Sequence, residues 1–204
     1  MTMHRLREAT ADLHALVEVA LDPNTRFASQ SSYVELLQVL HPFYVTIETK
    51  LTALPWNSIG FDFNARRKAT LLEADLRALG EVDHEPMQSE VSYPVLIDLA
   101  SGFGALYVLE GATLGGRILR KVLRSRLDID HAGGGSFYAG YGDATQDKWR
   151  EFGTALNGYC DRSEQRRDSA VAAATATFTA IGRILTAPHP FPPPTPARAT
   201  RGSG

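Results

Sequence analysis

His14 precedes Glu18 by four residues in the stretch LHALVE. On a helix that spacing is one turn, so a carboxylate stands beside an imidazole. The carboxylate can accept a proton from one ring nitrogen and leave the other free as a metal ligand. Such pairing fixes the tautomer and makes the ligand more basic. By pattern alone, a histidine between Leu13 and Val17 is more often a core or boundary residue, and Glu18 equally suits a solvated surface. Arg7 lies two turns earlier on the same face. It reads as a solvated arginine, or as a partner for an acidic group at the rim of a large anionic cofactor.

A second chemical signal is glycine. Residues 107–121 read YVLEGATLGGRILRK, with Gly102 and Gly104 just before. Each glycine inside a helix costs about 1 kcal/mol relative to alanine. Three explanations compete: a loop, close helix–helix packing, or the approach of something flat and bulky to bare backbone. Gly111 and Gly115, four apart, share one face and form a groove for a planar ring.

Helices must position these residues. Leu6, Thr10, Leu13, Val17 and Leu21 predict one helix over 3–21. A capping box at Ser32 and Glu35 predicts the next, with a kink at Pro42. Asn64 is the expected cap of RRKATLLEADLRAL, and Gly80 follows its end. The glycine-bearing helix is expected over about 93–125. Asp143 with Gln146 opens another, and the last covers about 163–186. No two-residue alternation points to a strand. The expectation is an all-α single domain over residues 1–187, followed by a Pro-rich, disordered tail over 188–204.

The chain has 204 residues, 44% of them hydrophobic, and a formal charge of −2. That balance gives no electrostatic reason to expect nucleic acid or an anionic membrane as partner. A single cysteine, Cys160, excludes an internal disulfide. The start MTMHRLREATADLH has no apolar signal core, and no uninterrupted apolar run has the length of a membrane span. A soluble, cytoplasmic protein is expected. His4, His41, His84, His131 and His189 lack the spacing of a metal cluster.

LREATADLHALVE together with GALYVLEGATLGGRIL resembles the bacterial branch of the heme oxygenase family, over about residues 3–186. The resemblance implies a heme-oxygenase-like helical bundle with a kinked glycine-rich distal helix. It implies heme b as substrate and cofactor, cleaved with O2 to biliverdin, carbon monoxide and ferrous iron. Electrons would come from a separate donor such as a ferredoxin or similar reductase, and a bacteriophytochrome could receive the biliverdin. His14 matches the proximal iron ligand and Glu18 its carboxylate partner. Arg7 and Tyr107 match propionate contacts, with Arg150 as a second one. Gly111, Gly115 and Gly116 match the distal glycines. Animal-type members carry an aspartate directly after the first of these, where this chain has Ala112. RILRKVLRSR reads as a solvated helix face, as a docking patch for an acidic electron donor, or as the source of a propionate contact from Arg120 or Arg124. Two other functions fit less of the pattern: a non-catalytic heme carrier or sensor, and a thiamin-degrading helical hydrolase using Cys160.

Overall fold

The computed structural model describes residues 1–81 and 91–187. Its helices are α1 (Thr2–Ala9), α2 (Ala11–Ala20), α3 (Pro23–Arg26), α4 (Gln30–Thr52), α5 (Ala69–Ala78), α6 (Leu99–Leu127), α7 (Ser136–Ala139), α8 (Thr145–Cys160) and α9 (Glu164–Thr186). Short 3₁₀ turns lie at Trp56–Ile59, Asn64–Arg66 and Gly142–Ala144. No strand occurs among the described residues. The Pro-rich tail, His84 and His189 lie outside them.

Several boundaries differ from the sequence expectation, for local reasons. The first helix is two, divided at Thr10, whose φ of −112° and ψ of 5° leave the helical range. Both its N–H and its hydroxyl bond back to the Leu6 carbonyl. Ser29, not Ser32, caps α4: its Oγ accepts from the Ser32 N–H at 3.1 Å. Asn64 does not cap α5. The buried Glu48 carboxylate of α4 does so instead, accepting from the N–H groups of Lys68 at 2.6 Å and Ala69 at 3.1 Å. Helix α6 begins at Asp98, which forms a reciprocal capping box with Ser101. From there α6 is assigned as one helix through all five of its glycines.

Helix α6 packs along α9 and also touches α4, α7 and α8. A Cβ on Gly104 would lie 2.0 Å from the Ala170 carbonyl oxygen, so the two backbones meet directly there. Gly102 likewise faces Leu54 and Trp56. Around that crossing, rings of Trp56, Phe61, Phe63, Phe103, Phe152 and Tyr159 pack at 5.1–6.1 Å. Helix α9 has the length and apolarity of a membrane span. Its residues Ala170, Ala174, Thr177 and Ala180 are fully buried in the bundle.

Helices α1 and α2 also rest on α9. The Thr2 N–H and hydroxyl donate to Asp161 at 2.8 and 2.6 Å. Arg5 pairs with Glu164 and with Asp168. At the other end Arg26 donates to the Ala20 carbonyl at 3.1 Å and the Leu185 carbonyl at 2.6 Å, closing the C-termini of α2 and α9. A cation at two helix C-termini also meets the negative end of each dipole. Arg126 of α6 reaches the same corner, donating to Pro23 O at 3.1 Å and Asn24 Oδ1 at 2.6 Å.

Candidate functional site

His14 lies on α2, with 55% of its side chain exposed. Its Nδ1 is 3.7 Å from Glu18 Oε2, an ion-pairing distance rather than a hydrogen bond. Across the helix interface its ring meets the buried Phe178 of α9 edge to face, with centroids 5.8 Å apart. Phe178 therefore limits the ring's rotation, which sequence spacing alone could not show. With Nδ1 turned to Glu18, Nε2 is the nitrogen left for a ligand.

Tyr107 joins α6 to this region. Its phenol lies close to Thr10 and feels the charge of Arg7. Burial raises its pKa above the ordinary tyrosine value, while Thr10 and Arg7 pull it down. One turn past Thr10 is His14, and one turn past Tyr107 is Gly111. The stripe Tyr107, Gly111, Gly115 and Ile118 then follows one side of α6. A Cβ on Gly111 or Gly115 would meet nothing within 4 Å, and Ile118 is 70% exposed. No atom packed against α6 comes within that distance in front of these two glycines.

Gly116 is different. Its Cβ direction meets the Tyr138 carbonyl oxygen at 3.2 Å, so it seats α6 on α7. Arg150 is exposed on α8 and paired with Asp147. Its neighbour Trp149 packs on Tyr107 with centroids 5.8 Å apart. Cys160 is fully buried, and burial pushes its thiol up to about 12. Thiolate is then scarce at neutral pH, and the hydrolase reading loses its nucleophile.

Behind the open stripe lies a cluster that sequence reading missed. Glu110, 1% exposed, accepts from Arg66 Nη1 at 2.8 Å, Lys68 Nζ at 2.9 Å and the Tyr141 hydroxyl at 2.6 Å. Lys68 also donates to Tyr141 at 3.0 Å and to the Arg66 carbonyl at 2.9 Å. Burial lowers the Lys68 pKa, and the Glu110 charge beside it opposes that. Arg66 lies over the Phe61 ring and pairs with Glu151 at 3.0 Å. The partners come from distant parts of the chain, which is why no local motif announces them.

The helical order agrees with what known proteins show. A family model described as heme oxygenase matches residues 2–187. The chain belongs to the heme oxygenase family. A heme oxygenase of Xanthomonas campestris pv. campestris (strain 8004) is 31% identical over 157 residues, covering 76% of this chain and 90% of that protein. The solved NO- and CO-bound heme oxygenase of Neisseria meningitidis superposes with a TM-score of 0.77 at 22% identity, covering 91% of this chain and 90% of that one. The heme oxygenase of Leptospira interrogans gives a TM-score of 0.69 at 20% identity, covering 90% and 98%. The all-helical heme oxygenase fold is thus common to this chain and both structures.

Proposed function

We propose that this chain binds heme between α2 and α6 and cleaves it oxidatively to biliverdin, carbon monoxide and ferrous iron, with O2 and electrons from a separate donor. The observation that carries the reading is the solvent-facing His14, set one turn beyond the Thr10–Tyr107 contact from which the bare glycine stripe departs. A planar ring fits there because no side chain of Gly111 or Gly115 intervenes. Heme supplies both the iron that handles O2 and the ring that is broken.

The chain's own residues divide the remaining work. His14 would offer Nε2 to the heme iron, as histidine does in other heme proteins. Glu18 favours the proton on Nδ1, and Phe178 holds the plane of the ring. Arg7 and Tyr107 stand at the closed end, where a cation and a phenol can fix the two carboxylate arms and so the in-plane rotation. Arg150 serves as a second carboxylate contact once it exchanges Asp147 for that partner. Gly111 and Gly115 bring backbone to the distal face, while Gly116 lets α6 settle on α7.

No nucleotide fingerprint occurs in the sequence, so electrons arrive from a ferredoxin or similar reductase. Arg117, Arg120, Lys121 and Arg124 are exposed on α6 and form a basic face for such an acidic donor. In this reading the biliverdin is available to a bacteriophytochrome or is a by-product of iron acquisition, in a cytoplasmic setting. A second reading, a carrier or sensor without turnover, is favoured by the exposed Ala112, which puts no acid on the distal side.

Hemin titration followed by donor, reductant and O2, with chromatography of the products, tests the proposal. The expected result is a Soret band and then a bilin. Hemin that binds and survives these conditions selects the carrier reading. His14→Ala is expected to leave apoprotein stability within about 0.5 kcal/mol, because the side chain is exposed. It is also expected to abolish the native ligation spectrum and turnover. An unchanged spectrum and rate would remove His14 as the ligand.

A further inference from the structure

Residues Glu110, Thr113 and Gly116 share the back of α6, directly behind the open stripe, and all three are buried. The segment after α7 supports them. Gly140, at φ +52°, lies under Thr113: a Cβ there would approach Thr113 Cγ2 to 3.2 Å. The Tyr138 carbonyl lies under Gly116, and the Tyr141 hydroxyl binds Glu110. Asp75 fixes α7 in turn. Its carboxylate accepts from the Ser136 and Phe137 N–H groups, both at 2.8 Å, and from the Ser136 hydroxyl at 2.6 Å.

A glycine-bearing helix with nothing in front of it has little intrinsic stiffness over 111–116. Its position must come from behind. An apolar side chain at 110 would fill the same space, and burying charge is costly unless geometry repays it. What the ion cluster adds is direction. Three donors from two separate segments converge on one carboxylate, which immediately precedes Gly111.

We propose that Glu110, gripped by Lys68, Arg66 and Tyr141, is a positioning cluster that sets where the Gly111–Gly115 backbone stands toward the bound ring. The proposal rests on the heme-binding reading above for what the backbone faces. Its mechanical part concerns the apoprotein alone. None of the four side chains touches the substrate; they act through the backbone of α6.

Amide hydrogen exchange on the hemin-free protein is the test. Tyr141→Phe removes one hydrogen bond and keeps the ring. Exchange across 111–116 should accelerate about tenfold, the weight of one such bond, while α4 and α9 stay within about twofold of the parent. Glu110→Gln keeps shape and removes charge, and should accelerate the same amides further. With hemin, Tyr141→Phe should lower kcat more than it changes hemin affinity, and Lys68→Arg should retain more activity than Lys68→Met. Unchanged exchange over 111–116, or an equal rise in α4 and α9, would overturn the positioning role. Failure of the parent chain to turn hemin over would instead sink the functional reading and leave the exchange result standing.

Discussion

Gly104 and Gly111 are two turns apart on one helix, and the same propensity cost has opposite causes at each. At Gly104 the protein itself needs the missing Cβ, because the Ala170 carbonyl would lie 2.0 Å from it. At Gly111 the protein needs nothing: the space is empty to 4 Å. A glycine explained by its neighbours reports on folding. One that its neighbours leave unexplained, as at Gly111, leaves bare backbone for the proposed ring to approach. The first half of α6 is therefore a packing element, and the open face at Gly111 and Gly115 is where the proposed ring would lie.

Substitutions at the two ends separate these roles. Gly104→Ala should be the most damaging, since backbone rather than a flexible side chain must move. Overpacking of this kind costs about 3 kcal/mol, which a denaturant melt would read. Tolerance at Gly104 would collapse the contrast. Gly111→Ala and Gly115→Ala should each raise apoprotein stability by about 0.5–1 kcal/mol, because alanine is the better helix former and meets no obstacle. The same variants should slow heme turnover. A gain in stability with unaltered turnover would show that the open stripe is not where the ring lies.

The acid response should sharpen the contrast from the packed side. The Thr2 hydroxyl, and after it the Thr2 N–H, hold the Asp161 carboxyl below the usual aspartate range. A carboxylate with a depressed folded-state pKa stabilises above its unfolded value and loses that stabilisation as pH falls through the folded one. Thr2→Val should therefore move acid unfolding to higher pH, by a small amount because the Asp161 carboxylate is partly open to solvent. A circular-dichroism pH titration reads the shift, and an unmoved midpoint would show that this tie contributes little.

Helical spacing singled out His14, Gly111 and Gly115, and the family resemblance singled out Tyr107; the structure leaves the space before both glycines open and sets Tyr107 near Thr10. The helical order was legible from the same spacing. The division at Thr10 was not, since the apolar period runs through it unbroken. Neither was the cap of α4, where Ser29 and Ser32 are chemically equivalent. Glu48 capping α5 and Glu110 holding Lys68 join residues 20 and 42 positions apart. Local pattern carries no trace of such pairs; a charged residue inside an apolar helix is their only hint. Phe178 was hidden for a different reason, because an aromatic in α9 gives no sign of which imidazole it will face.

The approach of Tyr107 to Thr10 and the Arg126–Asn24 hydrogen bond set α6 against the N-terminal helices at two points. Nineteen residues separate Tyr107 from Arg126, a span of about 28 Å at 1.5 Å per residue. A beam pinned at both supports cannot swing aside to admit a guest; it has to bow. The amino acid that yields most readily to bowing occurs three times between those pins, so the place proposed to receive the ring is also where the helix resists bending least.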